Sequence, residues 1–537
     1  MKRLNIKRVN EVIGNQYTMW NRGDVVLINA QTGSGKTSFI KNVLLDQMQF
    51  GERMLYLCNR VSLKRQFKLD LLNKYNLPIP IDNNGLINLQ LLDNITSIGN
   101  IEIISYHQLQ IAMMKEQYQN LKCNLNYYKY IICDEYHFFI EDSTFNNKTR
   151  YSYNKILENT PQAIKIFMTA TDDEVKNSIL SNFQWQNYNG FSSNIKIWNY
   201  TTGIDYSYVT PKYFRNINDI IQLIMNDSSD NKWLIFVSNK GKGDEIKAQL
   251  KNKKIDVNTI YSQTKNKEIN NIINNSKFNC KVLITTKVLE NGINLNDEKL
   301  TNIVIMAWNK TEFIQELGRK RIDINNAQEI NLFIPTRYRK SFIGKLKVLE
   351  EIEDKIQLFY NNRLQFNYRF DNNVEGLNNQ IFFNQNGQWQ VNNIGAYKLN
   401  LDIWFMKRMI NRFNTEGEFA FVKEQLEWIN LGHTFNENNL IGNVVDDSDK
   451  NKFIDYLENI VGKKLFKEQQ QELSNLIIKE LTTIAQDVDY RTTKLKPSTL
   501  EEIIRNQLEL PYAVSKTKQE TKGVNRGKRY IIISKLL

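Results

Sequence analysis

The sequence contains few of the residues that build disulfide frameworks and metal sites. Its 537 residues include only four cysteines, three histidines and seven prolines. The cysteines are Cys58, Cys123, Cys133 and Cys280, and they form no CxxC pair and have no histidine at ligand spacing. We therefore expect neither a disulfide scaffold nor a zinc site, and a reducing compartment such as the cytoplasm fits best.

Long apolar runs are also lacking. No uncharged apolar stretch approaches the ~18 residues that a membrane-spanning helix needs. The basic start of the chain, Met1–Arg8, is not followed by the apolar segment of a secretory signal. These two features predict a cytoplasmic protein with no membrane partner.

Length and positive charge are what the chain does have. At about 150 residues per domain, 537 residues predict three or four domains, each long enough to bury a core. The 71 basic and 58 acidic side chains give a formal net charge of +13, and 41% of the residues are hydrophobic. Such a chain is globular rather than disordered, and the expected large partner is a polyanion.

Apolar runs of similar length recur as far as about residue 340. They alternate with amphipathic stretches, which predicts parallel strands buried on both faces and joined by helices. The expected fold class is therefore α/β. The predicted strands are Val25–Ile28, Met54–Leu57, Tyr130–Cys133, Lys165–Met168, Trp233–Val237, Lys281–Ile284 and Asn302–Met306.

The domain boundaries follow from changes in this pattern. The polar, aromatic stretch Asn187–Pro211 lacks helical periodicity and is predicted to hold the first boundary. Beyond Lys340, amphipathic helices are predicted at Glu418–Leu431, Lys452–Val461 and Glu468–Ile484. We expect two α/β domains, residues 1–195 and 205–340, and a mainly α-helical C-terminal region, residues 341–537.

The segment Ala30–Thr37, AQTGSGKT, has the composition of a phosphate-binding loop. It lies between a predicted strand and a predicted helix, Ser38–Leu45, and its glycines let backbone N–H groups turn toward phosphate oxygens. The lysine is expected to reach the β- and γ-phosphates, and the last threonine to ligate Mg²⁺. The predicted nucleotide-binding residues of this loop are Gln31, Thr32, Gly33, Ser34, Gly35, Lys36 and Thr37.

Two adjacent carboxylates, Asp134 and Glu135, follow the predicted strand Tyr130–Cys133. Asp134 is expected to hold Mg²⁺ through its water shell, and Glu135 to polarise the water that attacks the γ-phosphate. An acidic pair after a strand also suits a helix N-cap. The phosphate loop upstream is what favours the catalytic interpretation.

In type and order, these segments resemble the motifs of the DExH-box superfamily 2 helicases and translocases. The resemblance implies two tandem RecA-like parallel-sheet domains, with ATP in the cleft between them. In the first half, the matching segments are Ala30–Thr37 (motif I), Asn59–Arg60 with Gln66 (motif Ia), Ser105–Gln108 (a strand-contacting segment), Asp134–His137 (motif II) and Thr169–Thr171 (motif III).

The second half continues the resemblance. Ile235–Ser238 resembles motif IV, Ile284–Asn294 resembles motif V and Gln315–Arg321 resembles motif VI. By this resemblance, Gly292 binds the nucleotide and Gln315 lies near the γ-phosphate.

The resemblance also implies a catalytic arginine finger, Arg319 or Arg321, that reaches the γ-phosphate across the cleft. Arg321 lies two residues beyond Arg319, whereas the family spacing is three. Asn294 also stands where many relatives carry Asp. The identity of the finger therefore stays open.

The function that the resemblance implies is an ATP-dependent helicase or translocase with ATP and Mg²⁺ as cofactors. Its partner is a nucleic acid; DNA is favoured over RNA, although the motifs themselves do not distinguish them. The alternative is an NTP-gated regulatory or motor subunit of a larger complex, for example in defence or replication, without unwinding activity. No nuclease signature is present, so any nuclease is expected to be a partner protein.

The last residues concentrate the positive charge. Residues 515–537 contain seven basic side chains and one acidic side chain. Ser498–Glu501 has the spacing of a capping box that opens a helix to about Leu510, and Arg529–Ser534 is a predicted strand. The two interpretations are a winged-helix module with a basic wing and a solvated basic tail.

Overall fold

The computed structural model describes most of the chain. Gly292, predicted to bind the nucleotide, lies outside the described residues, as does Arg60 of the motif Ia segment. The described residues are 2–59, 61–83, 85–119, 124–158, 162–171, 173–188, 195–261, 268, 272, 275–286, 294–371, 374–441, 447–480, 495–507 and 510–536.

The first domain is built on a seven-stranded sheet. Its strands are β1 (Val25–Asn29), β2 (Met54–Cys58), β3 (Ser97–Ile98), β4 (Ile101–Ser105), β5 (Tyr130–Asp134), β6 (Ile164–Thr169) and β7 (Ile197–Thr201). They are ordered β3-β4-β2-β5-β6-β1-β7, and all pairs are parallel except β3 with β4.

The four predicted strands of this domain are confirmed. The central strands are buried because helices cover both faces of the sheet. In β1, Val26 and Ile28 belong to one hydrophobic core, whereas Val25 and Leu27 belong to the core on the opposite face. Burial on both faces is why these strands appear in the sequence as continuous apolar runs.

The second domain repeats this architecture. Its strands are β8 (Val209–Phe214), β9 (Lys232–Phe236), β10 (Val257–Ile260), β11 (Val282–Thr285), β12 (Leu300–Ile305) and β13 (Ile330–Pro335), and a later segment adds β16 (Leu440–Ile441). The order is β10-β11-β9-β12-β13-β8-β16, and every pair is parallel. The three predicted strands of this half are confirmed, so the chain has two RecA-like parallel-sheet domains.

Helices connect the strands of both sheets. The predicted helix after the phosphate loop begins at Lys36, two residues earlier than expected, and continues as the π-helix Ile40–Leu44. The α-helices are Val9–Ile13, Lys36–Phe39, Val61–Lys74, Leu89–Asn94, Tyr106–Gln119, Phe138–Glu141, Thr149–Tyr153 and Asp173–Tyr188 in the first domain, and Ile217–Asn226, Lys240–Asn252 and Lys310–Leu317 in the second.

The connection between the two sheets is short. Strand β7 pairs with β1 and therefore belongs to the first sheet, although it follows residue 195. Strand β8 opens the second sheet at Val209. Residues 202–208 are thus the linker, and they fall inside the stretch predicted to hold the boundary.

A helical region follows the second domain. Its helices are Arg339–Asn361, Arg363–Phe370, Asn393–Glu416 and Ala420–Trp428. It contacts both domains, because Asn392 Nδ2 donates to the Ser143 carbonyl at 3.0 Å and Gln425 Nε2 donates to the Pro335 carbonyl at 3.3 Å. The antiparallel hairpin of β14 (Phe382–Gln385) and β15 (Gln388–Val391) is an addition that the sequence interpretation omitted.

The C-terminal module, residues 447–536, has its own hydrophobic core, to which Leu457, Ile477, Ile504 and Ile531 belong. Its elements are the helices Asp447–Ile460, Lys467–Glu480 and Pro497–Glu501, the π-helix Glu502–Gln507, and strands β17 (Lys464–Leu465), β18 (Tyr512–Val514), β19 (Lys518–Gln519) and β20 (Arg529–Lys535). Strand β20 pairs antiparallel with each of the other three strands.

Two predictions for this module have different outcomes. The terminal strand is confirmed, because β20 contains the whole predicted segment. The capping box is wrong, because the helix begins at Pro497 and Ser498 lies inside its first turn. Proline suits the first position of a helix because it has no N–H to satisfy there and its φ is already helical.

Two further observations bear on the sequence interpretation. None of the helices described has the length and apolar character that crossing a membrane requires. The described cysteines, Cys58, Cys133 and Cys280, are buried and form no disulfide with one another.

Candidate functional site

The phosphate loop joins β1 to the helix Lys36–Phe39. Gly33 and Gly35 have φ values of +89° and +94°, a left-handed conformation that glycine adopts without strain. The Lys36 ammonium donates to the Ala30 carbonyl at 2.9 Å, so the lysine folds back over its own loop. The loop therefore has the curvature and the positioned cation that phosphate binding requires.

The acidic pair lies at the carboxyl end of β5. Glu135 has φ +52°, which is uncommon for a residue other than glycine and turns the chain sharply after Asp134. The Nζ atom of Lys36 lies 3.9 Å from Glu135 Oε1. The lysine and the glutamate are both largely buried, so the attraction between them is weakly screened.

The two carboxylates differ in their electrostatics. Burial and the neighbouring charge of Glu135 raise the pKa of Asp134. Burial also acts to raise the pKa of Glu135, but Lys36 and His137 outweigh it and hold that pKa below its ordinary value. The lowered pKa favours the ionised form of Glu135, which acceptance of a proton from water requires.

Motif III contacts motif II directly. The Thr169 hydroxyl donates to Glu135 Oε2 at 3.1 Å, and His137 Nδ1 lies 3.0 Å from the same hydroxyl oxygen. The backbone N–H of Thr171 also donates to this oxygen at 3.1 Å. The end of β6 thus fixes the rotamer of the glutamate.

The second domain reaches this carboxylate through the helix Lys310–Leu317. Gln315 Nε2 donates to Glu135 Oε2 at 3.0 Å, and Arg319 Nη2 donates to Gln315 Oε1 at 2.6 Å. Arg319 Nε also donates to the Gln315 carbonyl at 2.9 Å. A continuous series of hydrogen bonds therefore crosses the interdomain cleft.

The other arginine of this segment is held differently. Arg321 Nε donates to Asn294 Oδ1 at 2.8 Å, and Asn294 Nδ2 donates to Gln66 Oε1 at 2.8 Å. Burial lowers the pKa of Arg321, and Glu135 and Asp134 oppose this shift. Gln66, assigned from the sequence to motif Ia, therefore lies on the wall of the cleft.

Close approach of the two domains depends on a glycine. A Cβ atom at Gly318 would lie 2.7 Å from Thr32 Oγ1. Glycine at this position lets the end of the second domain's helix pack against the phosphate loop. The sequence resemblance contained Gly318 but assigned it no role.

The cleft encloses a cavity of about 230 Å³. Most predicted site residues line it, and Tyr56, Phe67 and Asp70 line it as well, although no motif pointed to them. The predicted site residues on the wall are Thr32, Gly33, Gly35, Lys36, Thr37, Asp134, Glu135, Arg319 and Arg321.

Three other predicted residues lie behind this wall. Gln315 does not line the cavity but hydrogen-bonds to Glu135, which does. The Ser34 hydroxyl donates to the Gln31 carbonyl within the phosphate loop at 2.7 Å. The Gln31 side chain is bonded to the interdomain linker: its Nε2 donates to the Asp205 carbonyl at 3.0 Å, and its Oε1 accepts from the Asp205 N–H at 2.7 Å. The side chain of Gln31 thus ties the phosphate loop to the linker.

The residues at this site suit a magnesium ion. Asp134 Oδ1 is buried without a hydrogen-bond partner, whereas Oδ2 accepts from the Tyr56 hydroxyl at 2.5 Å. The described residues contain no group of three or more His, Cys, Asp or Glu side chains arranged around a metal position. Mg²⁺ needs no such cage, since it commonly takes one carboxylate, a hydroxyl and phosphate oxygens.

Two family models match the chain. Residues 3–174 match the model described as type III restriction enzyme, res subunit, and residues 215–322 match the model described as helicase conserved C-terminal domain. The first match contains strands β1 to β6 of the first sheet, and the second match contains strands β9 to β12 of the second sheet. Among curated proteins, no sequence matches the chain.

The solved structures that match the chain are remote in sequence. S. cerevisiae Dbp5 bound to RNA and ADP BeF3 is 14% identical, with 60% of this chain and 81% of that chain covered and a TM-score of 0.42. The Mycobacterium smegmatis helicase Lhr bound to ssDNA and AMP-PNP is 13% identical, with 63% and 46% covered and a TM-score of 0.41. A DEAD box protein from Methanococcus jannaschii is 19% identical, with 62% and 86% covered and a TM-score of 0.34.

Proposed function

Because the chain belongs to the superfamily 2 helicases, we propose that it is an ATP-dependent helicase or translocase of the DExH-box type. The observation that carries the proposal is the hydrogen-bonded series Glu135–Gln315–Arg319, which joins the acidic pair to the second domain beside the phosphate loop. In such a cleft, hydrolysis depends on residues of both domains.

The residues have distinct roles in this proposal. Lys36 leaves the Ala30 carbonyl to neutralise the β- and γ-phosphates, and Glu135 accepts a proton from the attacking water. Gln315 orients that water through its contact with Glu135. Arg319 or Arg321 neutralises the charge that develops in the transition state. Mg²⁺, held by Thr37 and Asp134, supplies further charge neutralisation at the phosphates when bound.

The two RecA-like domains, proposed as residues 1–195 and 205–340, would then alternate between open and closed arrangements as ATP is bound and hydrolysed. Strand β7 extends the first of them as far as Thr201. The C-terminal region, residues 341–537, contributes contacts to both domains. Gly292, in the motif V segment, is proposed to approach the nucleotide.

The C-terminal module is proposed to be a winged helix that binds nucleic acid. The order of its elements is helix, β17, helix, helix, π-helix, β18, β19 and β20, with β17 beside β20. Residues 515–528 form the wing, and its exposed cations include Lys516, Lys522 and Arg526. We favour DNA over RNA as the polymer, because helical modules of this kind suit the major groove of B-form DNA.

The proposed location is the cytoplasm, supported by the three described cysteines, which are buried and form no disulfide with one another.

A second candidate function is that of an NTP-gated motor subunit that moves on or clamps nucleic acid without unwinding it. The match of residues 3–174 to a restriction-enzyme subunit model favours this candidate. The nuclease of such a complex would be a separate protein.

The test is ATP hydrolysis measured with no polymer, with single-stranded DNA, with duplex DNA and with RNA, followed by strand displacement on the stimulating polymer. Stimulation together with displacement supports a helicase. Stimulation without displacement supports the motor subunit. ATPase activity that no polymer changes contradicts both.

A further inference from the structure

Two buried tyrosine hydroxyls contact Asp134, and they contact different parts of it. The Tyr56 hydroxyl donates to the carboxylate oxygen Oδ2 at 2.5 Å. The Tyr106 hydroxyl donates to the backbone carbonyl of Asp134 at 3.1 Å. One residue thus receives two similar donors, but only one of them acts on the group proposed to bind the cation.

Tyr56 is held rigidly. It lies in β2, which is the neighbour of β5 in the sheet and pairs with it through Tyr56 and Ile132. Its ring stacks on Phe67 with centroids 4.1 Å apart and an interplanar angle of 17°. Only 2% of the residue is exposed. The ring cannot turn away from Asp134 without disturbing this packing.

The contact distinguishes the two carboxylate oxygens. A phenol has one proton to donate, and here it goes to Oδ2. Oδ1 is buried and has no hydrogen-bond partner among the described residues. The carboxylate borders the cavity that also contains Lys36 and Thr37. Its rotation is therefore fixed, with Oδ1 as the oxygen left for a ligand.

We propose that Tyr56 is a positioning residue that orients the Asp134 carboxylate toward the magnesium ion. The inference rests on the proposed function, since it assumes that nucleotide and Mg²⁺ bind in this cleft. Residues that hydrogen-bond to metal ligands commonly change metal affinity or activity by about 10- to 100-fold when they are replaced. Tyr56 has the geometry of such a residue.

The test compares Tyr56→Phe with Tyr106→Phe. Each substitution removes one buried hydroxyl and keeps the ring, and Tyr106 is stacked on Phe138 much as Tyr56 is stacked on Phe67. Tyr56→Phe is expected to raise the Mg²⁺ concentration needed for half-maximal ATPase by about 10-fold or more. Tyr106→Phe is expected to leave that concentration within about twofold of the parent value.

A binding measurement provides a readout that does not depend on hydrolysis. The affinity for a fluorescent ADP is measured with Mg²⁺ and with EDTA. The parent protein and Tyr106→Phe should gain affinity when Mg²⁺ is present, and Tyr56→Phe should lose most of that gain while binding equally well in EDTA. Circular dichroism melts check that both variants are folded.

The outcomes separate this inference from the function on which it rests. A parent protein that neither hydrolyses ATP nor binds ADP contradicts the proposed function itself. If the parent shows both properties and Tyr56→Phe has the parent's Mg²⁺ dependence, the positioning role is wrong. The positioning role is also wrong if both tyrosine variants raise the Mg²⁺ concentration for half-maximal ATPase equally, because loss of packing would then explain the effect.

Discussion

The interdomain cleft and the C-terminal module use charge in opposite ways. In the cleft, Lys36 and Glu135 lie 3.9 Å apart with side chains only 10% and 14% exposed, and Arg319 is 4% exposed. In the module, the basic side chains of residues 515–529 are exposed, and the ion pairs described in this module involve Lys464 and Lys535, outside this range, and Arg505.

The difference follows from what each region is proposed to do. A group that acts on a reacting phosphate needs a fixed position in a site that excludes water, so it is buried and held by partners. A cation that binds a polymer backbone gains most when it is exposed and gives up no existing partner. The two regions should therefore respond independently to substitution.

The largest expected effect is in the cleft, at the arginines. Arg319→Ala and Arg321→Ala should fold and bind ATP, and at least one should lose ~10³-fold or more in turnover because the transition-state charge is no longer neutralised. Steady-state ATPase assays and ATP binding measure this. The control is Arg215→Ala, which removes an exposed arginine of the same domain that pairs with Glu418 of the C-terminal region. If both Arg319→Ala and Arg321→Ala hydrolyse ATP at the parent rate, neither arginine acts across the cleft.

The acidic pair gives the next largest effect. Glu135→Gln should retain ATP binding but lose about 10²- to 10⁴-fold in hydrolysis, because the proton acceptor is removed. Lys36→Ala should weaken ATP affinity as well as turnover. Glu52→Gln, which removes a carboxylate paired with Lys129 away from the cavity, should remain active. Hydrolysis at the parent rate in Glu135→Gln would show that the assigned base is wrong.

In the C-terminal module, substitutions are expected to change nucleic-acid binding and not ATPase activity. Replacing Lys516, Lys522 and Arg526 with Gln should weaken nucleic-acid binding and reduce the slope of log affinity against log salt by about 0.9 for each duplex phosphate that is no longer neutralised. Basal ATPase, which depends on the cleft, should not change. Point substitutions suit this test better than truncation after Val514, which would remove β20 and with it the buried Ile531 and Ile533.

The matched control for the module is the triple Gln variant of Lys251, Lys253 and Lys347, three exposed lysines outside the module. Its salt slope should equal that of the parent protein. A wing variant with the same slope as this control would leave the interdomain groove as the main binding surface.

The smallest expected effect concerns the contact between the phosphate loop and the linker. Gln31→Leu removes both hydrogen bonds to Asp205 and should cost about 1–3 kcal/mol in the free energy of unfolding, measured by denaturant titration. ATP affinity should change little, because the side chain lies outside the cavity wall. Gln47→Leu, at an exposed position of the same domain, is the control. Lower ATP affinity at unchanged stability would instead support direct nucleotide binding by Gln31.

Much of the fold could be predicted from the sequence because its strongest signals are local. Strands buried on both faces appear as apolar runs, and all seven predicted strands are present. The β14–β15 hairpin was missed, although Asn386 and Gly387 between its strands carry a local signal. Their φ values of +52° and +78° fit a tight hairpin turn, for which Asn-Gly is the preferred pair.

The candidate site could be predicted only in part. The phosphate loop and acidic pair were found because each is contiguous and its residue types are tied to one chemistry. Tyr56 was missed because a tyrosine in an apolar strand resembles any core residue. Its role depends on β2 lying beside β5, and the two strands are more than 70 residues apart in the chain.

By itself, the sequence determined two parallel-sheet domains, the phosphate loop and the acidic pair, since backbone conformation and burial depend on neighbouring residues and on periodicity. The tertiary structure alone decided that Gln315 meets Glu135, that Gln31 binds the linker and that Tyr56 leaves Oδ1 of Asp134 for a ligand. These contacts join residues 78 to 180 positions apart. Only the packing of strands and domains brings such residues within hydrogen-bonding distance.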